Sequence, residues 1–121
     1  MHVLITDDMH TNRVQMGMVL KGFGCSYDEA CNGEEAIAMI EQKDYDLVLM
    51  DIEMPVRNGI EAVEHIRKNK SGPTKGKLPV IAVTANETAE LASNYKKHGF
   101  DGLIIKPINN DKINSYLKSS R

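Results

Sequence analysis

The feature that most constrains this chain is an alternation. Five short β-rich apolar runs, at residues 3–6, 25–28, 47–50, 80–83 and 103–105, are separated by stretches with helical periodicity. The runs end about 22 residues apart, which suits one strand, one helix and short loops. The interval between the third and fourth is longer by about 11 residues; the stretch 69–79, rich in Gly, Pro, Ser and Lys, reads as a surface loop. Apart from the second, the runs are almost continuously apolar, as strands covered on both faces must be. The gaps carry helical stripes: Met16, Leu20 and Phe23; Ala36, Ile37 and Ile40; Ile60, Val63 and Ile66; Leu91, Ala92 and Tyr95; Ile113, Tyr116 and Leu117. Asn32-Gly33-Glu34-Glu35 resembles a capping box at the start of the second helix. The fold class expected is α/β: a (βα)5 doubly wound, five-stranded parallel sheet in the order 2-1-3-4-5 with right-handed crossovers.

Composition narrows the function classes. With 121 residues, 41% hydrophobic and 26% charged, one globular domain over residues 1–121 is expected. A net charge of −2 argues against binding nucleic acid non-specifically, and 5% aromatics without Trp argue against a stacking platform for single strands. No apolar run approaches the ~20 residues that span a bilayer, and the first residues show no basic n-region, so neither a membrane span nor a signal peptide is expected. Cys25 and Cys31 fit neither a disulfide scaffold nor a zinc site, which suggests a reducing, cytoplasmic compartment. The four histidines are scattered and read as solvated surface; the lysines at 68, 70, 75 and 77 read the same way. Gly17 and Gly22, inside the first helix, each cost about 1 kcal/mol against Ala and have no functional reading.

In the proposed order, ligands sit beyond the carboxyl ends of the strands. Asp7 and Asp8 follow strand 1, Asp51 follows strand 3, Thr84 strand 4 and Lys106 strand 5. One aspartate at a strand end is usually a turn former or a cap. Three carboxylates, a hydroxyl and an ammonium on one edge are a site. The carboxylates cannot all ionise comfortably together, so either one pKa rises or a cation enters. An all-oxygen donor set suits Mg²⁺, which favours a phosphate as partner. One carboxylate is then free to act as a nucleophile and form an aspartyl-phosphate.

These residues carry a resemblance. Residues 4–8 (Leu-Ile-Thr-Asp-Asp), 49–55 (Leu-Met-Asp-Ile-Glu-Met-Pro) with Gly59, 83–85 (Val-Thr-Ala) and the pair Lys106-Pro107 are similar to the receiver domain of two-component response regulators, over essentially the whole chain. The resemblance implies a flavodoxin-like fold and a signalling switch that phosphorylates and dephosphorylates only itself. It implies that Asp51 is the phospho-acceptor. Asp7, Asp8, Asp51 and the backbone carbonyl of Glu53 would hold Mg²⁺, with Asp8 the direct ligand and Asp7 acting partly through water. Thr84, the backbone N–H of Ala85 and Lys106 would contact the phosphoryl group, and the bond before Pro107 would be cis. The phosphoryl donor would be a phosphohistidine of a sensor histidine kinase or a histidine phosphotransfer protein.

Some positions depart from the family pattern or refine it. Where the family usually has Tyr or Phe, this chain has Leu103, which reads as core rather than as an aromatic switch. Glu53 and Asn86 flank the phosphoryl position, where the family tunes access of the hydrolytic water. On the first helix, Val14 and Met18 lie opposite the core stripe, near Met9, Asn12 and Arg13. The pattern Asp-Asp-x-x-x-Asn-Arg at 7–13 resembles receivers of hybrid kinases, which dock a phosphotransfer domain through this helix. Two other classes compete. A degenerate receiver would signal without phosphate but usually lacks an acid, the acceptor or the lysine. A flavin-binding electron carrier would need a Ser/Thr/Gly-rich phosphate loop where Asp7-Asp8-Met9-His10 stands; a phosphohydrolase would need a second catalytic Asp near Asp51.

Overall fold

The computed structural model describes residues 1–53, 58–68, 78–85, 89–106, 108 and 110–119. In chain order the elements are β1 (His2–Thr6), α1 (His10–Gly22), β2 (Ser26–Ala30), α2 (Gly33–Gln42), β3 (Leu47–Asp51), α3 (Gly59–Arg67), β4 (Val80–Thr84), α4 (Ala89–His98), β5 (Gly102–Ile105) and α5 (Asn110–Ser119). The five strands form one parallel sheet in the order β2-β1-β3-β4-β5. This is the doubly wound architecture anticipated from the alternation. Met54, Pro55, Asn86, Pro107 and most of the basic loop lie outside the described residues.

Neighbouring residues of each strand face opposite layers, because strand side chains alternate with a period of two. Leu4, Val48, Met50, Val80 and Ala82 pack with Ala36, Ile40, Val63 and Ile66 of α2 and α3, and Leu91 and Tyr95 of α4 lean on the same cluster. Val3, Ile5, Leu47, Leu49, Ile81 and Val83 pack with Met16 and Leu20 of α1 and Ile113 and Leu117 of α5. Apolar burial on both faces is the main force holding the sheet between its helices.

β2 lies one residue later at its start, and two at its end, than its apolar pattern suggested. Gly24 takes a left-handed φ of 78°, and the amides of Gly24 and Cys25 bond back to the carbonyls of Lys21 and Leu20. This Schellman arrangement ends α1 and commits the Cys25 amide to the helix, so pairing begins at Ser26. Phe23 is therefore a half-buried C-cap residue rather than part of the helical stripe. Ala92, placed in the stripe of α4, is exposed. The reciprocal capping box sits on α3, between Asn58 and Glu61; at α2, Asn32 caps the Glu35 amide but Glu35 reaches back to Cys31 instead. Gly17 has a packing reason, since a Cβ there would come within 2.5 Å of the Tyr27 ring, whereas Gly22 faces open space.

Candidate functional site

The ladder continues past the strands and fixes the loops that carry the site. The amide of Asp7 donates to Ala30, that of Ile52 to Val83 and that of Lys106 to Thr84, at 3.1, 3.1 and 2.8 Å. Asp7, Asp51 and Thr84 are buried at these ends, and Asp8 is exposed. Carboxylate oxygens of Asp7, Asp8 and Asp51 lie within 4.8 Å of one another. Lys106 reaches in from β5, with Nζ 3.1 Å from Asp7 Oδ2 and 3.5 Å from Asp51 Oδ2. The five side chains gathered from the sequence thus share one edge.

The electrostatics follow from burial and crowding. Asp51 is only 3% exposed. Burial pushes its carboxyl up to about 7, the Asp7 charge adds to this, and Lys106 and the Glu53 amide pull part of the way back. Burial works against the Lys106 ammonium, but its hydrogen bond to Asp7 and the charge of Asp51 outweigh that and raise its pKa. Three carboxylates facing one ammonium is a donor set that a hard divalent cation fits.

The acidic turn is held from α1. Asp7 Oδ1 accepts from the Met9 amide at 2.9 Å, and Asn12 Nδ2 donates to Oδ2 at 3.3 Å. Arg13 donates to the Asp7 carbonyl at 2.7 Å and to Glu29 at 3.0 Å. Asn12 and Arg13, read as partner surface, therefore turn inward to brace Asp7. Met9, Val14 and Met18 point outward and are 55%, 42% and 69% exposed. On the other side, Gly59 brings the start of α3 against β3, where a Cβ would collide with the Asp51 carbonyl. Its amide donates to Ile52 at 3.1 Å, so Gly59 lets helix and acceptor strand touch.

Contacts of Glu53 and His2 were also missed in the sequence. Glu53 is exposed, yet its carboxylate returns to the site and accepts the Thr84 hydroxyl at 2.7 Å. No local pattern links residues so far apart. His2 is not simply solvated: its ring meets Ser26 and Asp28 and stacks on Tyr45. Leu103 is half-buried against the α2–α3 layer rather than fully core, and its amide and carbonyl both meet the Tyr116 hydroxyl. Ala85 is exposed beside Thr84.

Residues 3–118 match the family of response regulator receiver domains. This chain belongs to that family. Two-component system protein A of Emericella nidulans is 39% identical over 93% of the chain, and histidine kinase 5 of Arabidopsis thaliana is 33% identical over 96%. The chain spans only 16% and 15% of the lengths of these two relatives. Among solved structures, the receiver domain of sensor histidine kinase PA1611 from Pseudomonas aeruginosa PAO1, with a magnesium ion in its active site cleft, superposes with a TM-score of 0.87. It is 25% identical, and the match covers 98% of this chain and 94% of that one. The receiver is thus a phosphorylation-driven signalling module of the two-component kind. No helix among the described residues is long and apolar enough to cross a membrane.

Proposed function

We propose that Asp51 of this receiver accepts a phosphoryl group from the phosphohistidine of a sensor histidine kinase or a histidine phosphotransfer protein. The observation that carries this reading is the buried Asp51 carboxylate, which shares Lys106 with Asp7 at the end of β3. A carboxylate oxygen of Asp51 attacks phosphorus. The O–P bond forms as the P–N bond breaks, and the departing imidazole keeps the electron pair and takes a proton from water. Lys106 offsets charge on the phosphoryl oxygens, while the Thr84 hydroxyl and the Ala85 amide donate to them. Asp7, Asp8, Asp51 and the Glu53 carbonyl would hold Mg²⁺. When bound, the ion neutralises charge and orients phosphoryl oxygens.

The receiver acts on itself alone; water later cleaves the acyl phosphate and regenerates Asp51. Met9, Val14 and Met18 form the apolar side of the donor-facing surface, supported by their exposure next to the acidic edge. The reading covers residues 1–121 as one receiver unit in the cytoplasm, which the free thiols of Cys25 and Cys31 support.

Intact mass after incubation with acetyl phosphate and Mg²⁺ tests the assignment. Wild type should gain one base-labile phosphoryl group and Asp51→Asn none. Gain in the variant, or none in wild type with Mg²⁺ bound, would overturn it.

A further inference from the structure

In this structure the Thr84 hydroxyl donates to the Glu53 carboxylate. The contact is short, at 2.7 Å, and starts from a buried hydroxyl. Glu53 is held at two points: its amide donates to Asp51 Oδ1 at 3.2 Å while its carboxylate reaches across to β4. The residue thus spans the acceptor and the hydroxyl that would serve the acceptor. A hydroxyl donates only one hydrogen bond. Bonds to a charged acceptor are also among the stronger ones in a protein. The carboxylate of Glu53 therefore competes directly with any phosphoryl oxygen for Thr84.

We propose that the Glu53 side chain is a positioning residue that holds the Thr84 hydroxyl in the resting protein and must release it when Asp51 is phosphorylated, so that it sets how readily the receiver activates. The inference rests on Asp51 being the acceptor. Its geometry is a two-state exchange, with Thr84 bonded either to Glu53 or to the phosphoryl group. Charge drives the exchange further. Glu53 stands beside the position where a phosphoryl group adds negative charge, and once released its exposed side chain can turn to solvent. The resting bond would oppose activation, and its loss would carry the arrival of the phosphoryl group into the segment that follows β3.

Beryllium fluoride with saturating Mg²⁺ is a stable phosphoryl stand-in whose affinity calorimetry can read. Wild type, Glu53→Ala, Glu53→Gln, Thr84→Ala and the double variant Glu53→Ala/Thr84→Ala form the set. Glu53→Ala should bind about tenfold more tightly than wild type, the size of one charged hydrogen bond released. Glu53→Gln, a neutral acceptor of the same reach, should fall between them. In the Thr84→Ala background, Glu53→Ala should gain clearly less, because only the charge repulsion is left to relieve. An equal gain in that background would mean plain charge repulsion and would overturn the hydrogen-bond exchange. So would unchanged affinity in Glu53→Ala. Failure of every protein to bind beryllium fluoride, with Mg²⁺ bound, would overturn the acceptor reading and this inference with it.

Discussion

At the amino-terminal end of β1, one carboxylate has three donors; at the opposite end of the sheet, two of three clustered carboxylates share one lysine. Asp28 Oδ2 meets Tyr45 Oη at 2.8 Å, His2 Nε2 at 3.1 Å and Lys43 Nζ at 3.2 Å. The His2 and Tyr45 rings stack with centroids 5.1 Å apart. The Tyr45 hydroxyl above all, with His2 and Lys43, holds the Asp28 carboxyl down to about 2. Asp51, the same residue type in the same sheet, is driven up to about 7 by burial and by Asp7. The difference lies in the ratio of donors to acceptors and in the depth of burial. The first arrangement ties edge strand β2 to its neighbour. The second leaves charge uncompensated, and that deficit is what a cation and a phosphoryl group would find there. Proteins commonly give up stability at the place where they work.

The contrast can be broken most sharply at Asp51. Its folded pKa lies above the unfolded value near 3.8. The cost of ionising it in the fold is therefore absent below pH 4, grows as pH rises, and is complete above about 7. In metal-free buffer at pH 8, Asp51→Asn should be more stable than wild type by about 2 kcal/mol, and the gain should vanish by pH 4. Denaturant melts at the two pH values would show it, and a less stable variant at pH 8 would mean the acidic end is not under strain. Asp28 should behave in the opposite way. Its folded pKa is depressed, so its contribution is present above pH 4 and fades as pH falls toward 2. At pH 7, Asp28→Ala should lose about 1–2 kcal/mol, because Tyr45 and His2 lose a charged partner. Parallel melts at pH 2.5 should bring the two proteins close together. The smallest effect concerns the helix between the two ends. Val14→Glu with Met18→Glu should slow transfer from a phosphohistidine donor about tenfold, roughly 1.4 kcal/mol of docking energy, and leave acetyl phosphate labelling unchanged. Equal slowing with both donors would place the damage in the acidic end rather than on the helix surface.

What could be read from the sequence follows this division. β1, β3 and β4 are buried on both faces, so their apolar runs are nearly unbroken and their bounds are plain. β2 is an edge strand, and Ser26, Tyr27, Asp28 and Glu29 leave little apolar pattern to follow. The acidic site was legible because strand ends in this topology converge, so position along the chain stands in for position in space. The Asn58–Glu61 box also has a local spacing that could have revealed it. The Glu53–Thr84 bond, the Arg13 brace on Asp7 and the His2 network depend on rotamers that spacing does not encode. Leu103 packs against the α2–α3 core as its apolar neighbours suggest, but only half-buried, because β5 is an edge whose residues are only alternately covered.

The contact between Gly59 and the Asp51 carbonyl has a mechanical consequence. Where two elements meet through side chains, a small displacement can be absorbed by rotamer changes. Here backbone meets backbone, clamped by the Gly59 amide on Ile52. The joint therefore has no side-chain rotamer to take up a displacement, and a tilt of the Asp51 peptide would press directly on the first turn of α3.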